Sequence, residues 1–488
     1  MAKLSMPRLT QLCAVLAVAG VLGGCSLAPT YERPQAPVES AYPAATDGRA
    51  ELDAVNLGWR QFFPDQRLQS LIAAALENNR DLRTAVLNIE EARAQYQIAR
   101  ADLLPTLNAT GNAARTRTAA SQSLTGQPYV SNSYQVGLAV PAYELDFFGR
   151  VRSLKDAALA SYLSTEEARK SAQISLVAQV AQAYLSERSY AEQLLLAEET
   201  LKSRESDIQL AQKRFDVGAS SALDFRLTQT LVESARVARA QLQRQRAQAD
   251  NALTLLVGRK VNELPATQLL SDEKIVTDIP AGLPSDLLIN RPDIRAAEQS
   301  LLAANANIGA ARAAFFPQIS LTGSLGSASR TLGGLFESGS GAWSFGPQLS
   351  LPIFDFGRNS ANLDLAEVRK NKAVVTYEKT IQTAFREVAD ALVARGSLDE
   401  QVTAQEAFLN SQQERLKLTD LRFKNGIASS LDQLDAQRDL FSAQQALIQA
   451  RQLRLNNAID LYKALGGGLN ENTVASQPAQ TGSSTRTN

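Results

Sequence analysis

The chain has 488 residues, 44% hydrophobic and 20% charged, enough for two or three ordinary domains or one extended architecture. Fifty Lys and Arg balance fifty Asp and Glu, so no basic surface for nucleic acid is implied. The lack of any histidine removes imidazole acid–base and triad chemistry, and two cysteines, Cys13 and Cys25, build neither a disulfide framework nor a Cys-rich metal centre, so neither an enzyme nor a bound cofactor is expected.

At the N-terminus Lys3 and Arg8 precede an apolar run from Leu12 to Leu22, followed by Gly23-Gly24-Cys25. The run is far shorter than the roughly 20 residues that span a bilayer, and suits the h-region of a secretory signal. Leu22-Gly23-Gly24-Cys25 resembles a bacterial lipobox, which makes Cys25 the lipidated first residue of the mature chain. Ser26, rather than an aspartate, follows it and favours export to the outer membrane by analogy with bacterial lipoproteins. Without Lys3 and Arg8, 48 of the 50 basic side chains remain against 50 acidic ones, a mature net charge of −2.

After a Pro-rich tether (Pro29, Pro34, Pro37, Pro43) the chain matches itself. Ala99-Arg100-Ala101-Asp102-Leu103-Leu104-Pro105 matches Ala311-Arg312-Ala313-Ala314-Phe315-Phe316-Pro317 at a shift of 212. Phe148-Gly149-Arg150 matches Phe356-Gly357-Arg358, and Arg214-Phe215 matches Arg422-Phe423, at 208. A match this long is a duplicated structural half. The expected organisation is a signal peptide over 1–24, a lipidated tether over 25–60, a first repeat over 61–258, a linker over 259–284, a second repeat over 285–468 and a polar tail over 469–488.

Within each half the hydrophobic period changes. Leu71 to Leu104 is rich in Ala, Leu, Glu and Arg without Gly or Pro, and predicts one helix. Tyr134, Val136, Leu138 and Val140 then alternate with small or polar residues, as do Ile319, Leu321 and Gly323, and Trp343, Phe345, Leu349 and Leu351. Period two with one apolar and one nearly uncharged polar face, in an exported chain, predicts strands with lipid outside and water inside. Two strands per half make four, joined by loops near Ser121–Val130 and Thr331–Gly341. Four strands cannot close a barrel, so the chain must oligomerise, to eight strands in a dimer or twelve in a trimer.

Beyond each Phe-Gly-Arg, Leu194, Leu201, Ile208 and Phe215, and Val402, Leu409, Leu416 and Phe423, recur every seven residues and predict coiled-coil packing in hairpins of roughly 100 Å. Gly218 and Gly426 break the helices in turns, and Asp224 and Asp432 fall in the first turns of the helices that restart. Arg291-Pro292-Asp293 reads as a helix start, with proline near the first position and an acid in the first turn.

Arg291-Pro292-Asp293-Ile294-Arg295-Ala296-Ala297-Glu298, Leu351-Pro352-Ile353-Phe354-Asp355-Phe356-Gly357-Arg358 and Asp435-Ala436-Gln437-Arg438 resemble the TolC-like outer-membrane efflux factors. The lipobox and Leu461-Tyr462-Lys463-Ala464-Leu465-Gly466-Gly467-Gly468 are most similar to the OprM-type lipoprotein branch. The resemblance implies an α+β membrane protein. Four transmembrane strands per chain would contribute to a trimeric 12-stranded barrel in outer-membrane lipid, continued by a long periplasmic α-helical barrel. It also implies a homotrimeric exit duct for drugs or other amphipathic compounds, served by a periplasmic adaptor and an inner-membrane RND-type transporter. A lipid-anchored periplasmic adaptor, or a structural coiled-coil lipoprotein, is the alternative; an adaptor needs a single hairpin flanked by soluble β modules.

On this resemblance Leu416 and Asp420 match the periplasmic constriction, where three Asp420 side chains would form an acidic ring; the repeat places Gln212 opposite Asp420. The turns Val217-Gly218-Ala219-Ser220-Ser221 and Asn425-Gly426-Ile427-Ala428-Ser429-Ser430 are small and nearly uncharged, which suits tip-to-tip docking of an adaptor.

Overall fold

The computed structural model describes residues 26–39, 41–42, 54–261, 264–265, 269–277, 279 and 284–473. The signal segment and Cys25 lie outside the described residues, as does the tail from 474 on. The chain divides into two compact units, one made of 88–166, 296–377 and the segment up to Gln35, the other of 36–87, 167–295 and 378 onward. No helix among the described residues is long and apolar enough to cross a membrane.

The first unit holds the sheet. Strands β1 (Asn108–Thr118), β2 (Tyr129–Leu145), β3 (Gln318–Ser329) and β4 (Gly341–Ser350) pair antiparallel in the order β1-β2-β3-β4. Directly paired residues share a face, so the register sorts the side chains. One face carries Tyr134, Val136, Leu138 and Val140 beside Leu321, Gly323 and Leu325, and then Trp343, Phe345, Pro347 and Leu349. The other carries Asn108, Thr110 and Asn112, Gln135, Ser320, Thr322, Ser324, Ser344 and Gln348. A bulge between Val140 and Tyr143 keeps Tyr143 and Leu145 on the apolar face. Gly137 and Gly326 face each other on the polar side, where a Cβ on Gly326 would lie 2.2 Å from the Val136 carbonyl oxygen. Leu351, read as part of the last strand, lies one residue beyond its end.

Helices α1 (Trp59–Phe62), α2 (Gln66–Asn78), α3 (Arg80–Ala101), α4 (Arg150–Asp216), α5 (Ala222–Val257), α6 (Pro284–Asn290), α7 (Pro292–Ala313), α8 (Arg358–Lys424) and α9 (Ser430–Ala464) make up most of the rest. The single helix expected from Leu71 to Leu104 is broken at Asn79. Its backbone is extended (φ −62°, ψ 132°), its Oδ1 accepts the Leu82 N–H at 2.8 Å, and its Nδ2 donates to the Leu256 carbonyl at 2.8 Å. Asparagine is a strong N-cap, so α3 starts there, where α5 ends.

The two 67-residue helices α4 and α8 are each about 100 Å long, but α5 and α9, with 36 and 35 residues, return only about 54 and 52 Å. The hairpins are therefore paired over about half the expected length. The heptad positions away from the turns pack as expected in the second unit, whereas Phe215, the last of the first row, is exposed. Leu194 and Ala197 meet Leu242, Leu201 meets Val232 and Ala235, and Val402 meets Leu447 and Ala450. The stretch read as a linker is not free of the core: Leu270, Ile275 and Ile279 are buried.

Candidate functional site

The segment from Ser26 to Arg33 is laid along α7. The Arg33 guanidinium donates to both carboxylate oxygens of Glu298 (2.6 and 2.8 Å), and the Tyr31 hydroxyl donates to the same carboxylate at 3.1 Å. Asn305 donates to the Pro29 carbonyl at 2.7 Å, and a Cβ on Gly309 would lie 2.8 Å from Ala28. Successive contacts thus step from Glu298 toward the C-terminal end of α7, beside the start of β3. Ser26, the first described residue, is at that end of the strap.

Both hairpin turns are built by the same chemistry. Gly218 and Gly426 take φ of 70° and 72°, the left-handed region, with open space around the missing Cβ, so conformation and not crowding requires glycine. The Ala219 N–H donates to the Arg214 carbonyl at 2.7 Å, and the Ile427 N–H to the Arg422 carbonyl at 2.9 Å. Ser221 and Ser429 then form capping boxes with Asp224 and Asp432, 208 residues apart in each case.

The turns of the two repeats adjoin. The Ser430 hydroxyl donates to Asp224, and together with the Ser221 hydroxyl it holds the Asp224 carboxyl below the usual carboxylate range. Above this contact is a cavity of about 640 Å³ lined by Asp207, Arg214, Ser220, Asp420, Lys424 and Gln433, among others. Asp420 is half-buried there; it accepts from Gln433 Nε2 at 2.7 Å and pairs with Lys424 Nζ at 2.6 Å. Its counterpart Gln212 donates to Asp216 at 2.7 Å on its own helix. Leu416 is half-buried one turn earlier. Val217 and Ile427 are exposed, and so are Leu223 and Leu431, matching leucines in the first turns of α5 and α9. Those leucines were not singled out from sequence, although an apolar residue beside a capping box was the available signal.

Arg291 is a buried clamp. It pairs with Asp293 (2.6 Å) and Glu387 (2.7 Å) and donates to the Ala464 carbonyl at 3.0 Å. Arg295 pairs with Glu167 at 2.9 Å. These contacts hold the start of α7 against α8 and the end of α9, as a structural reading of Arg291-Pro292-Asp293 expects.

The family described as Outer membrane efflux protein matches residues 71–259 and 283–467. The chain is 50% identical over 467 residues to the Pseudomonas putida probable efflux pump outer membrane protein TtgC, covering 95% of this chain and 96% of that protein. It is 50% identical over 461 residues to the Pseudomonas aeruginosa outer membrane protein OprJ, covering 93% and 95%. Among solved structures, the open state of the Neisseria gonorrhoeae MtrE outer membrane channel is similar with a TM-score of 0.84 at 47% identity, covering 92% of this chain and all of that one.

Proposed function

The chain belongs to the outer membrane efflux protein family, and from that premise we propose that three copies close one twelve-stranded barrel and form the exit duct of a tripartite pump. It is an outer-membrane efflux channel with a periplasmic helical extension, not an enzyme, which sets aside the adaptor reading. The observation that carries the assembly is the sheet, with one apolar and one small polar face and with both β1 and β4 left as edges. Open edges are not tolerated in lipid. Eight strands enclose a space that side chains fill, whereas twelve leave a lumen, which Ser, Thr, Asn and Gln would line.

Relatives are named for toluene, solvent and antibiotic efflux, and this duct passes compounds of the same apolar or amphipathic kind. An inner-membrane RND-type transporter supplies them through a periplasmic adaptor that docks on the two turns. Leu416 and Asp420 form the constriction, and Cys25 carries the acyl anchor in outer-membrane lipid. Deletion of the protein should raise cellular accumulation of a hydrophobic dye, and the wild-type chain should reverse it. Unchanged accumulation, with the protein in the soluble periplasmic fraction, would contradict this function.

A further inference from the structure

We propose that Arg115 and Arg117 form a binding site for the phosphate groups of a lipid in the outer leaflet around the barrel. The inference rests on the outer-membrane location of the sheet and not on the pump that the duct serves.

The register places both arginines on the apolar face. Arg115 is paired with Asn132 and Arg117 with Val130, in line with Gly111↔Val136 and Ala113↔Tyr134. Both are exposed. Helix α3 precedes β1 at its Asn108 end, and α4 follows β2 at its Leu145 end. The periplasmic extension therefore marks that end of the sheet, and Thr118 and Tyr129 lie toward the outer surface.

Depth follows from strand geometry. Tyr134 to Leu145 covers a height of roughly 28 Å at about 3.3 Å per residue and a tilt of about 40°, close to the apolar band of about 25 Å on a membrane barrel. Arg115, opposite Asn132, and Arg117, opposite Val130, lie past Tyr134 by about 5 and about 10 Å on the same geometry. That is the level of lipid headgroups. The aliphatic stems can lie on the apolar face while the guanidinium groups reach outward.

Nothing in the chain neutralises this pair. Neither arginine makes an ion pair with a described residue. Glu144, the one acid of the four strands, is on the polar face opposite Ser320, where it pairs with Arg150 at 2.6 Å. The loop over 119–128 has no charged residue, and Glu337, the acid of the other outer loop, pairs with neither arginine. Two like charges side by side cost stability unless an anion lies between them.

The repeat shows that the sheet does not need them. At a shift of 212, where Thr322-Gly323 falls on Thr110-Gly111, Arg115 and Arg117 correspond to Ser327 and Ser329. Those serines lie on the same face, opposite Val136 and Tyr134. A strand of the same kind thus forms with serine at both places. What the arginines add is two planar, permanently charged forks, roughly 7 Å apart along one strand, which suit the oxygens of phosphate. An anionic lipid surface supplies such groups at this depth.

Native mass spectrometry of purified full-length trimers, titrated with diphosphoryl lipid A, tests the site. Wild-type trimers should reach half-occupancy at a lipid concentration at least about five-fold lower than Arg115→Ser with Arg117→Ser, which carries the residues of the second repeat. Trimer yield and dye efflux should be unchanged in that variant. Wild-type trimers should also prefer the diphosphoryl lipid to the same lipid with its phosphates removed, a comparison that needs no variant. Millimolar inorganic phosphate should leave the bound lipid in place. Equal occupancy in wild type and variant, or with and without the lipid phosphates, overturns the proposal. Displacement by inorganic phosphate overturns it in favour of a free-anion site. A parent protein absent from the outer membrane overturns the location beneath it.

Discussion

Asp420 and Gln212 occupy matching places in the two repeats, yet only one is charged, so the duplicated hairpin folds without an acid there. Lys424 offsets part of the charge of Asp420, and Gln433 orients the carboxylate at 2.7 Å. In planar bilayers, Asp420→Ala should raise conductance and weaken cation preference, while Gln212→Ala does much less; equal behaviour would remove the gate assignment. Elsewhere, Glu273 is a buried carboxyl pushed up to about 8 by burial and by the neighbouring Asp65 carboxylate. The folded chain keeps a proton that the unfolded chain releases near 4.5, so this contribution to stability is complete below pH 4.5 and is lost as pH rises through about 8. The denaturation midpoint should therefore fall between about pH 5 and about pH 9 more steeply in the wild type than in Glu273→Gln. Parallel slopes would show that Glu273 does not hold the proton. No sequence signal marked this pair, because Asp65 and Glu273 meet only through tertiary packing.

Among the elements, the long helices and strands were legible and their joints were not. Heptad spacing predicted the packing of Leu194, Leu201 and Val402, because seven-residue periodicity is a local property. The break at Asn79 was missed, since its cap acts in a run otherwise rich in helix formers, and its side chain also binds Leu256, 177 residues away. The hairpin length of roughly 100 Å follows from the span of the first long helix alone, whereas the return helices end at Val257 and Ala464, after about half that length. The turns were placed correctly from Gly218 and Gly426, but the exposed leucines beside them emerged only from the fold. If Leu223 and Leu431 contact the adaptor, Leu223→Asp with Leu431→Asp should abolish dye efflux while trimers still form at the wild-type level. Normal efflux in that double variant would count against docking at these turns.

For the whole molecule, the duplication gives one chain two pairs of strands and two long helical hairpins. The strap from Ser26 to Arg33 runs along α7 toward its last turn, and on the proposed lipidation of Cys25 it would add a second hold on lipid beside the strands. Two or more acyl chains anchor stably, but a closed barrel needs no such anchor to stay in the membrane. Cys25→Ser should therefore abolish acyl labelling yet leave assembled protein in the outer membrane; unchanged labelling would reject the lipobox. The exit duct requires four strands per chain to close as twelve. Native mass spectrometry of the particle extracted from outer membranes counts its chains directly: three per particle is the predicted result, and a stable monomer or dimer would contradict it.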